Sequence, residues 1–345
     1  MVLDTFIATF LYCLLVLLSV ESDASNGEAP YISVIVAVVL ALASVIVLIF
    51  FIHHAAEIIQ VKSVIAKVSH DLHHMIDRVF PKELGDQPPL NMQNDTLENL
   101  AADSCPIAAT RSGYLQAIAR DNLVKIAAGH GLVLFSQYQP GRFVVQGSPL
   151  VLVWPREKVD RCLAEKIRNW FILGDQRTYE QDLEFAIDLL VEIAVRALSP
   201  GTNDPFTAMM CVDRLGAALC QIATRDFPLT TFVDSNGKIR LVEKPITFGD
   251  LTDSAFNQIR QYGHPSVAVN ICLLEVLGLI AQRAARADDK SVLLRHAGMI
   301  RRSCEENFTE ELDRKDAEER YRAFLEDLRQ GPEELNSAGY LRDEK

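Results

Sequence analysis

Residues 31–52, YISVIVAVVLALASVIVLIFFI, decide the organisation of the chain. The segment holds 22 residues without a charge, a proline or a glycine. At ~1.5 Å per residue such a helix spans ~33 Å, enough to cross the ~30 Å hydrocarbon core of a bilayer. A buried helix of a soluble protein is the alternative, but it is rarely apolar on every face over this length. The pattern therefore predicts a transmembrane helix.

A second apolar segment precedes it at residues 5–20, TFIATFLYCLLVLLSV. A signal peptide is the competing interpretation, and it requires a basic stretch before the apolar run. Here Asp4 precedes the run and no lysine or arginine does. Residues 21–30 form a short polar connection, so residues 1–52 are predicted to be a transmembrane helical hairpin in a lipid bilayer.

The placement of basic residues predicts the orientation of this hairpin. The connection contains only acidic charges, at Glu21, Asp23 and Glu28, whereas basic residues follow the second segment at Lys62, Lys67, Arg78 and Lys82. Lysine and arginine are enriched on the cytoplasmic side of membrane proteins. We therefore expect the connection to be external and the large C-terminal part to be cytoplasmic.

The overall composition excludes several partners and cofactors. A formal net charge of −12 disfavours binding to nucleic acid. The seven cysteines are odd in number, widely spaced and without a CxxC motif, which argues against a disulfide framework and a zinc site. No metal and no cofactor is expected, and reduced cysteines suit a cytosolic compartment.

Residues 53–82 are predicted to form a juxtamembrane helix that continues the second span. Its apolar residues recur in alternating steps of three and four, at Ile58, Val61, Ile65, Val68, Leu72, Met75 and Val79. Such a heptad seam either pairs two protomers or packs against the protein's own domain. The first alternative predicts a homo-oligomer.

A linker is predicted at residues 83–106, followed by a small β module at 107–155. Strands are expected at 113–118, 132–138, 142–145 and 150–154, with a short helix capped by Asp121. The pattern PGRFVVQGSPLVLV resembles the hairpin of barrel-sandwich, biotinyl-like domains. It lacks the Met-Lys-Met turn, so no biotin or lipoate is expected.

Residues 156–330 are predicted to form a helical domain with one β-hairpin, and residues 331–345 a flexible tail. Two further helices are expected between Asp288 and Gln330. The earlier boundaries rest on capping and turn signals, at Thr178 with Gln181, Asp204 with Pro205, Asn236 with Gly237, Thr247 with Asp250, and Pro265. The predicted fold is therefore mainly α, with a transmembrane hairpin, a β-rich module and an α-helical cytoplasmic domain.

No catalytic signature is present, so no catalytic residue is assigned and an enzyme is not expected. His70, His73 and His74, with Asp71 and Asp77, could place metal ligands on one helix face, but a solvated helix surface explains them better. A stripe of Glu184, Asp188 and Glu192 either lines a cavity or is the solvent-facing edge of a buried helix.

The stretch 198–206, LSPGTNDPF, is the best candidate for a ligand site. Backbone N–H groups at the start of the following helix suit an anion, and Arg177 and Arg260 could add positive charge. With Asn203 and Asp204 these residues form the candidate site for a small anionic ligand. The alternative is that the stretch only ends one helix and caps the next, in which case Asn203→Ala should be nearly neutral.

The sequence resembles the bacterial family of predicted membrane proteins known as domain of unknown function 2254. The similarity extends to about Arg302 and is carried by FIATFLYCLLVLLSV, FFIHHAAEIIQV, RSGYLQAI with PGRFVVQGSPLVLVW, EQDLEFAIDLLVEIAVRALSPGTNDPFTAMMCVDRLGAAL and FNQIRQYG. The resemblance implies a multi-pass protein of the bacterial inner membrane. It implies no activity, and no functional residue is transferred from it.

The family resemblance also implies two further membrane helices upstream, so this chain begins at what corresponds to the third. The function expected from the sequence is a membrane protein whose cytoplasmic part binds a ligand or a partner. The alternative is a subunit of an oligomeric channel or transporter, although the two apolar segments lack the charged residues typical of a transport pathway.

Overall fold

The computed structural model describes residues 2–23, 31–58, 61–80 and 100–337. The chain divides into two compact units, Met1–Val64, here called the N-terminal unit, and Ile65–Lys345, here called the main unit. Each unit has its own internal packing, and the prediction of a mainly helical protein is confirmed.

The N-terminal unit contains α1 (Val2–Asp23) and α2 (Tyr31–Ile58), which pack against each other. Between Ile32 and Ile49 the apolar side chains of α2 are almost all exposed, and only 6% of this stretch is buried. In α1 the apolar stretch is shorter, Phe6–Leu18. The predicted connection at residues 24–30 lies outside the described residues. The structure thus contains one strongly apolar N-terminal helix most of whose apolar side chains are exposed.

A second helix is also long and apolar enough to cross a membrane, at Pro205–Ala223. Half of this helix is buried within the main unit, where Val212, Leu215 and Leu219 belong to the hydrophobic core. Length and composition alone do not separate a membrane span from such a core helix. The burial of its side chains identifies it as part of the core of the main unit.

From Val61 onward, the predicted heptad seam lies on α3 (Val61–Val79), whereas its first residue, Ile58, ends α2. Ile65, Val68, Leu72 and Met75 are buried in the largest hydrophobic core of the main unit. The seam therefore packs against the protein's own domain, the second of the two predicted alternatives. Whether α3 continues α2 depends on residues 59–60, which lie outside the described part of the chain.

Two β-sheets form the β-rich part of the main unit. The strands are β1 (Cys105–Ala108), β2 (Gly113–Ile118), β3 (Val133–Ser136), β4 (Phe143–Val144), β5 (Pro149–Trp154), β6 (Phe171–Gly174), β7 (Thr231–Val233) and β8 (Ile239–Val242). The larger sheet has the order β1-β5-β3-β8-β7, and the smaller one β4-β2-β6. All pairs are antiparallel except β3 with β8. Strand β6 falls where the sequence predicted only helices, and it pairs with β2.

The remaining helices are α4 (Arg120–His130), α5 (Arg161–Arg168), α6 (Leu183–Ala197), α7 (Pro205–Ala223), α8 (Phe248–Gly263), α9 (Val267–Ala281), α10 (Ala287–Asn307) and α11 (Glu311–Ser337). Helices α3 and α6 to α11 bury one large core, whereas α4 and α5 pack on the sheets around a second core. Helix α11 extends to Ser337, so the predicted tail begins as a helix, and residues 338–345 lie outside the description.

The structure confirms several predicted caps and corrects two. Asp204 caps α7, and Thr247 forms a capping box with Asp250 at the start of α8. The predicted cap at Thr178 is wrong, because Asp182 accepts the hydrogen bond from Phe185 N and α6 begins at Leu183. Helix α4 begins at Arg120 after Ala119, so Asp121 lies in its first turn and does not cap it.

Candidate functional site

The α6–α7 loop, residues 198–204, is held by hydrogen bonds within the chain. Asp204 N donates to Ala197 O at 2.8 Å, and Asn203 N donates to Ser199 O at 2.9 Å. The Asp204 carboxylate accepts from Thr207 N at 3.1 Å and from Thr207 Oγ1 at 2.6 Å. These contacts account for the loop as a helix connection, and Asp204 already supplies an anion to the start of α7.

Asn203 has a structural role that the sequence did not predict. Its backbone φ is 46°, in the left-handed region that most residues other than glycine avoid. Asparagine tolerates this conformation better than alanine, because its short polar side chain can bond locally. The residue is therefore selected by the backbone geometry of the loop.

Arg177 lies before α6, at the opposite end of that helix from the loop. Its Nε and Nη2 donate to the two carboxylate oxygens of Asp182 at 2.6 and 2.8 Å. Its Nη1 donates to Asp188 Oδ2 at 2.5 Å. Since α6 has 15 residues, about 22 Å of helix separates Arg177 from the loop, and the structure does not bring Arg177 to Asn203 and Asp204.

Arg260 lies on the last turn of α8, at the same end of the helical core as the loop. Three residues later, a Cβ placed on Gly263 would be 3.5 Å from Cδ1 of Leu198, the first residue of the loop. The buried Nε of Arg260 has no hydrogen-bond partner among the described residues. Burial and the nearby charge of Arg302 lower the pKa of Arg260. Among the predicted site residues, Arg260 is the arginine that no described carboxylate binds.

A polar cluster that the sequence did not predict lies beside Arg260, between α8 and α10. His296 is completely buried, its Nε2 is 2.7 Å from Asp253 Oδ1, and its Nδ1 has no partner among the described residues. Asp253 also accepts from Arg295 Nη2 at 2.8 Å. Burial lowers the pKa of His296. Asp253 and His296 are distant in the sequence and belong to no motif, so no local spacing could have revealed the pair.

The histidine group on α3 does not form a metal site among the described residues, where no group of three or more potential ligands is placed together. His70 Nε2 and His74 Nε2 lie 3.0 Å apart on the exposed face of the helix. His73 Nδ1 contacts Gln221 Oε1 at 2.6 Å, and Asp77 accepts from Gln221 and from Arg225. The group is mainly the polar flank that joins α3 to α7.

The carboxylate stripe on α6 faces increasingly toward solvent along the helix. Arg142 pairs with Glu184, Arg177 with Asp188, and Arg196 with Glu192. Side-chain exposure rises from 15% at Glu184 to 42% at Asp188 and 61% at Glu192. Each carboxylate has an arginine partner, so the stripe is the charged edge of a packed helix.

Comparisons with known proteins place the chain among membrane proteins. A family model described as "Predicted membrane protein (DUF2254)" matches residues 1–278. The uncharacterized protein Rv1290c of Mycobacterium tuberculosis is 28% identical over 323 residues, which cover 91% of this chain. The uncharacterized protein Mb1321c of Mycobacterium bovis matches to the same extent. The chain spans about 60% of the length of these curated relatives. No solved structure matches significantly.

Proposed function

Because this chain belongs to the family of predicted membrane proteins described as domain of unknown function 2254, we propose that it is a multi-pass protein of the bacterial inner membrane. In this proposal the main unit lies in the cytoplasm and binds a small anionic ligand. Helices α1 and α2 are the proposed spans. The observation that carries the anchor is the surface of α2, where most of the apolar side chains between Ile32 and Ile49 are exposed.

An exposed apolar surface of this size is costly in water, at about 25 cal/mol for each Å². The apolar helices α7 and α9 of the main unit avoid the same cost because they bury side chains such as Leu215 and Leu277 in the core. A lipid bilayer removes the cost for α2 without protein partners. The acidic connection and the lysines that follow α2 support an external connection and a cytoplasmic main unit.

The proposed ligand site is the end of the helical core where Arg260 lies close to the α6–α7 loop. Arg260 supplies N–H donors that no described carboxylate accepts, whereas Asn203 and Asp204 belong to the adjacent loop. Arg177 is not part of the proposed site, because Asp182 and Asp188 already bind its guanidinium.

Reporter fusions and a ligand screen test the two parts of this proposal. Green fluorescent protein fused after Lys345 should fluoresce, and alkaline phosphatase at the same position should be inactive. The full chain in detergent should unfold at a higher temperature with at least one anionic metabolite, and Arg260→Ala should reduce that shift. An active phosphatase fusion would reject the topology, and the absence of any shift would reject the binding function.

A further inference from the structure

Helices α8 and α10 run parallel and in register across the main unit. A Cβ placed on Gly249 would contact Val292 at 3.4 Å, and Asp253 contacts His296 at 2.7 Å. Both pairs are 43 residues apart in the sequence (292 − 249 and 296 − 253). The same offset places Arg260 level with Ser303, so Arg260 and Arg302 lie next to each other at this interface.

Neither of these two arginines has an acceptor among the described residues. The Nε of Arg260 is buried and has no partner among the described residues, and the exposed Arg302 makes no hydrogen bond or ion pair within the same part of the chain. Other arginines of the main unit that are partly buried like Arg260, such as Arg177 and Arg286, bind carboxylates. A partly buried cation without an anion is costly, and a second cation beside it increases the cost.

The Asp253 carboxylate at this interface does not compensate the pair, and Glu305 on α10 already pairs with Arg301. Asp253 already binds Arg295 and His296, and it lies seven residues before Arg260, about 10 Å along the helix. The Nδ1 of His296 is a further buried polar atom without a partner. In a protein with a net charge of −12, two adjacent arginines without acceptors are not explained by a generally basic surface.

We infer that Arg260 and Arg302 form a binding site for a small oxyanion, the phosphate or carboxylate group of a metabolite, between the C-terminal halves of α8 and α10. The planar fork of an arginine matches the oxygen spacing of both groups, and two such forks can hold one anion. This inference rests on the proposed binding function of the main unit, but it does not depend on the membrane topology.

The test uses the full chain in detergent, titrated with inorganic phosphate and, separately, with malonate at constant ionic strength. We would compare the wild type with Arg260→Gln, Arg302→Gln and the control Arg322→Gln. Arg322 is an exposed arginine paired with Glu318, so its replacement changes the net charge equally. We expect phosphate, malonate or both to bind the wild type and the control with equal affinity. Arg260→Gln and Arg302→Gln should each weaken this binding by a factor of about ten or more.

Unfolding without added anion provides a second measurement. Arg260→Gln should unfold at a temperature equal to or above that of the wild type, because it removes a charge without a partner. If this variant instead fails to fold, the exposed Arg302→Gln variant decides the binding question. Equal responses of all four proteins, or no response of the wild type to either anion, would overturn the site.

The same screen separates this inference from the proposed function. A metabolite that stabilises the wild type, loses its effect in Asn203→Ala and keeps it in Arg302→Gln would overturn the arginine site and leave the binding function standing. A response to phosphate alone or to malonate alone would identify which oxyanion source the arginines accept.

Discussion

At the scale of single residues, Asn203 shows how a loop selects its side chain. Because its backbone is in the left-handed conformation, Asn203→Ala is no longer expected to leave the stability unchanged. We predict that Asn203→Ala lowers the free energy of unfolding by about 1–2 kcal/mol, whereas Asn203→Gly is close to neutral, because glycine adopts this conformation freely. Chemical denaturation in detergent measures the difference. Equal stabilities of the two variants would show that the backbone conformation is not the cause.

The buried His296 makes a prediction about pH. Burial lowers its pKa in the folded protein below the ordinary value of 6.5, despite the opposing effect of Asp253. As the pH falls through about 6.5, the unfolded chain binds a proton before the folded protein does, so stability is present above this pH and is lost below it. We expect the unfolding temperature to fall from pH 7.5 to 5.5.

The variant His296→Gln should show a weaker dependence on pH over that range, and the exposed His264→Gln should behave as the wild type. The charged groups facing His296 are Asp253, Arg295 and Arg260. Parallel curves for the wild type and His296→Gln would assign the pH dependence to other groups.

At the scale of single residues, the sequence predicted those features that depend only on residues close together in the chain. The caps at Asp204 and Thr247 were predicted because a cap depends on a side chain and a backbone N–H three residues away. The contact of Asp253 with His296 was not, since it depends on how two helices align.

At the scale of elements, the burial of the α3 seam makes a further prediction. Leu72 is fully buried in the core of the main unit, so Leu72→Ala should cost about 2–5 kcal/mol of stability. Leu312, which is 73% exposed on α11, provides the matched control, and its replacement by alanine should be nearly neutral. Unchanged unfolding of Leu72→Ala would contradict the internal packing of α3.

The start of α6 depends on one ion pair. The Asp182 side chain is 2% exposed, caps α6 and binds Arg177 through two hydrogen bonds. Arg177→Gln would leave this buried carboxylate without its cation, and we expect a loss of about 3 kcal/mol. Arg196→Gln, which removes an exposed pair with Glu192, should cost less than ~1 kcal/mol. Similar losses in both variants, measured by denaturation, would contradict this account.

Strand β6 shows why some elements escape prediction from sequence. Its four residues, FILG, are too few to show a period, and flanking helical patterns dominate the region. The strand forms because its backbone pairs with the edge of β2, and this edge is present only in the folded sheet. The hairpin of β7 and β8 was predicted because Asn236-Gly237 is a local turn signal. Gly237 N donates to Asp234 O at 2.9 Å, so the observed turn is centred on residues 235–236, and Gly237 follows it with a positive φ of 73°.

At the scale of the whole molecule, two helices of the described part of the chain are long and apolar enough to cross a membrane, and their environments differ. The helix at Pro205–Ala223 is half buried among other helices, whereas only 6% of Ile32–Ile49 is buried. Composition could identify both segments, but only the fold of the main unit shows which of them already has protein neighbours. The proposal that α2 spans a membrane follows from this difference and from the family to which the chain belongs.

The topology of the anchor is the central claim, and cysteine labelling tests it most directly. A membrane-impermeant maleimide would be applied to intact bacteria producing Asn26→Cys, with the exposed native Cys162 as the internal reference. We predict that Cys162 reacts only after permeabilisation, whereas the cysteine introduced at Asn26 reacts in intact cells. Labelling of Cys162 in intact cells, or labelling at Asn26 only after permeabilisation, would contradict an external connection and a cytoplasmic main unit.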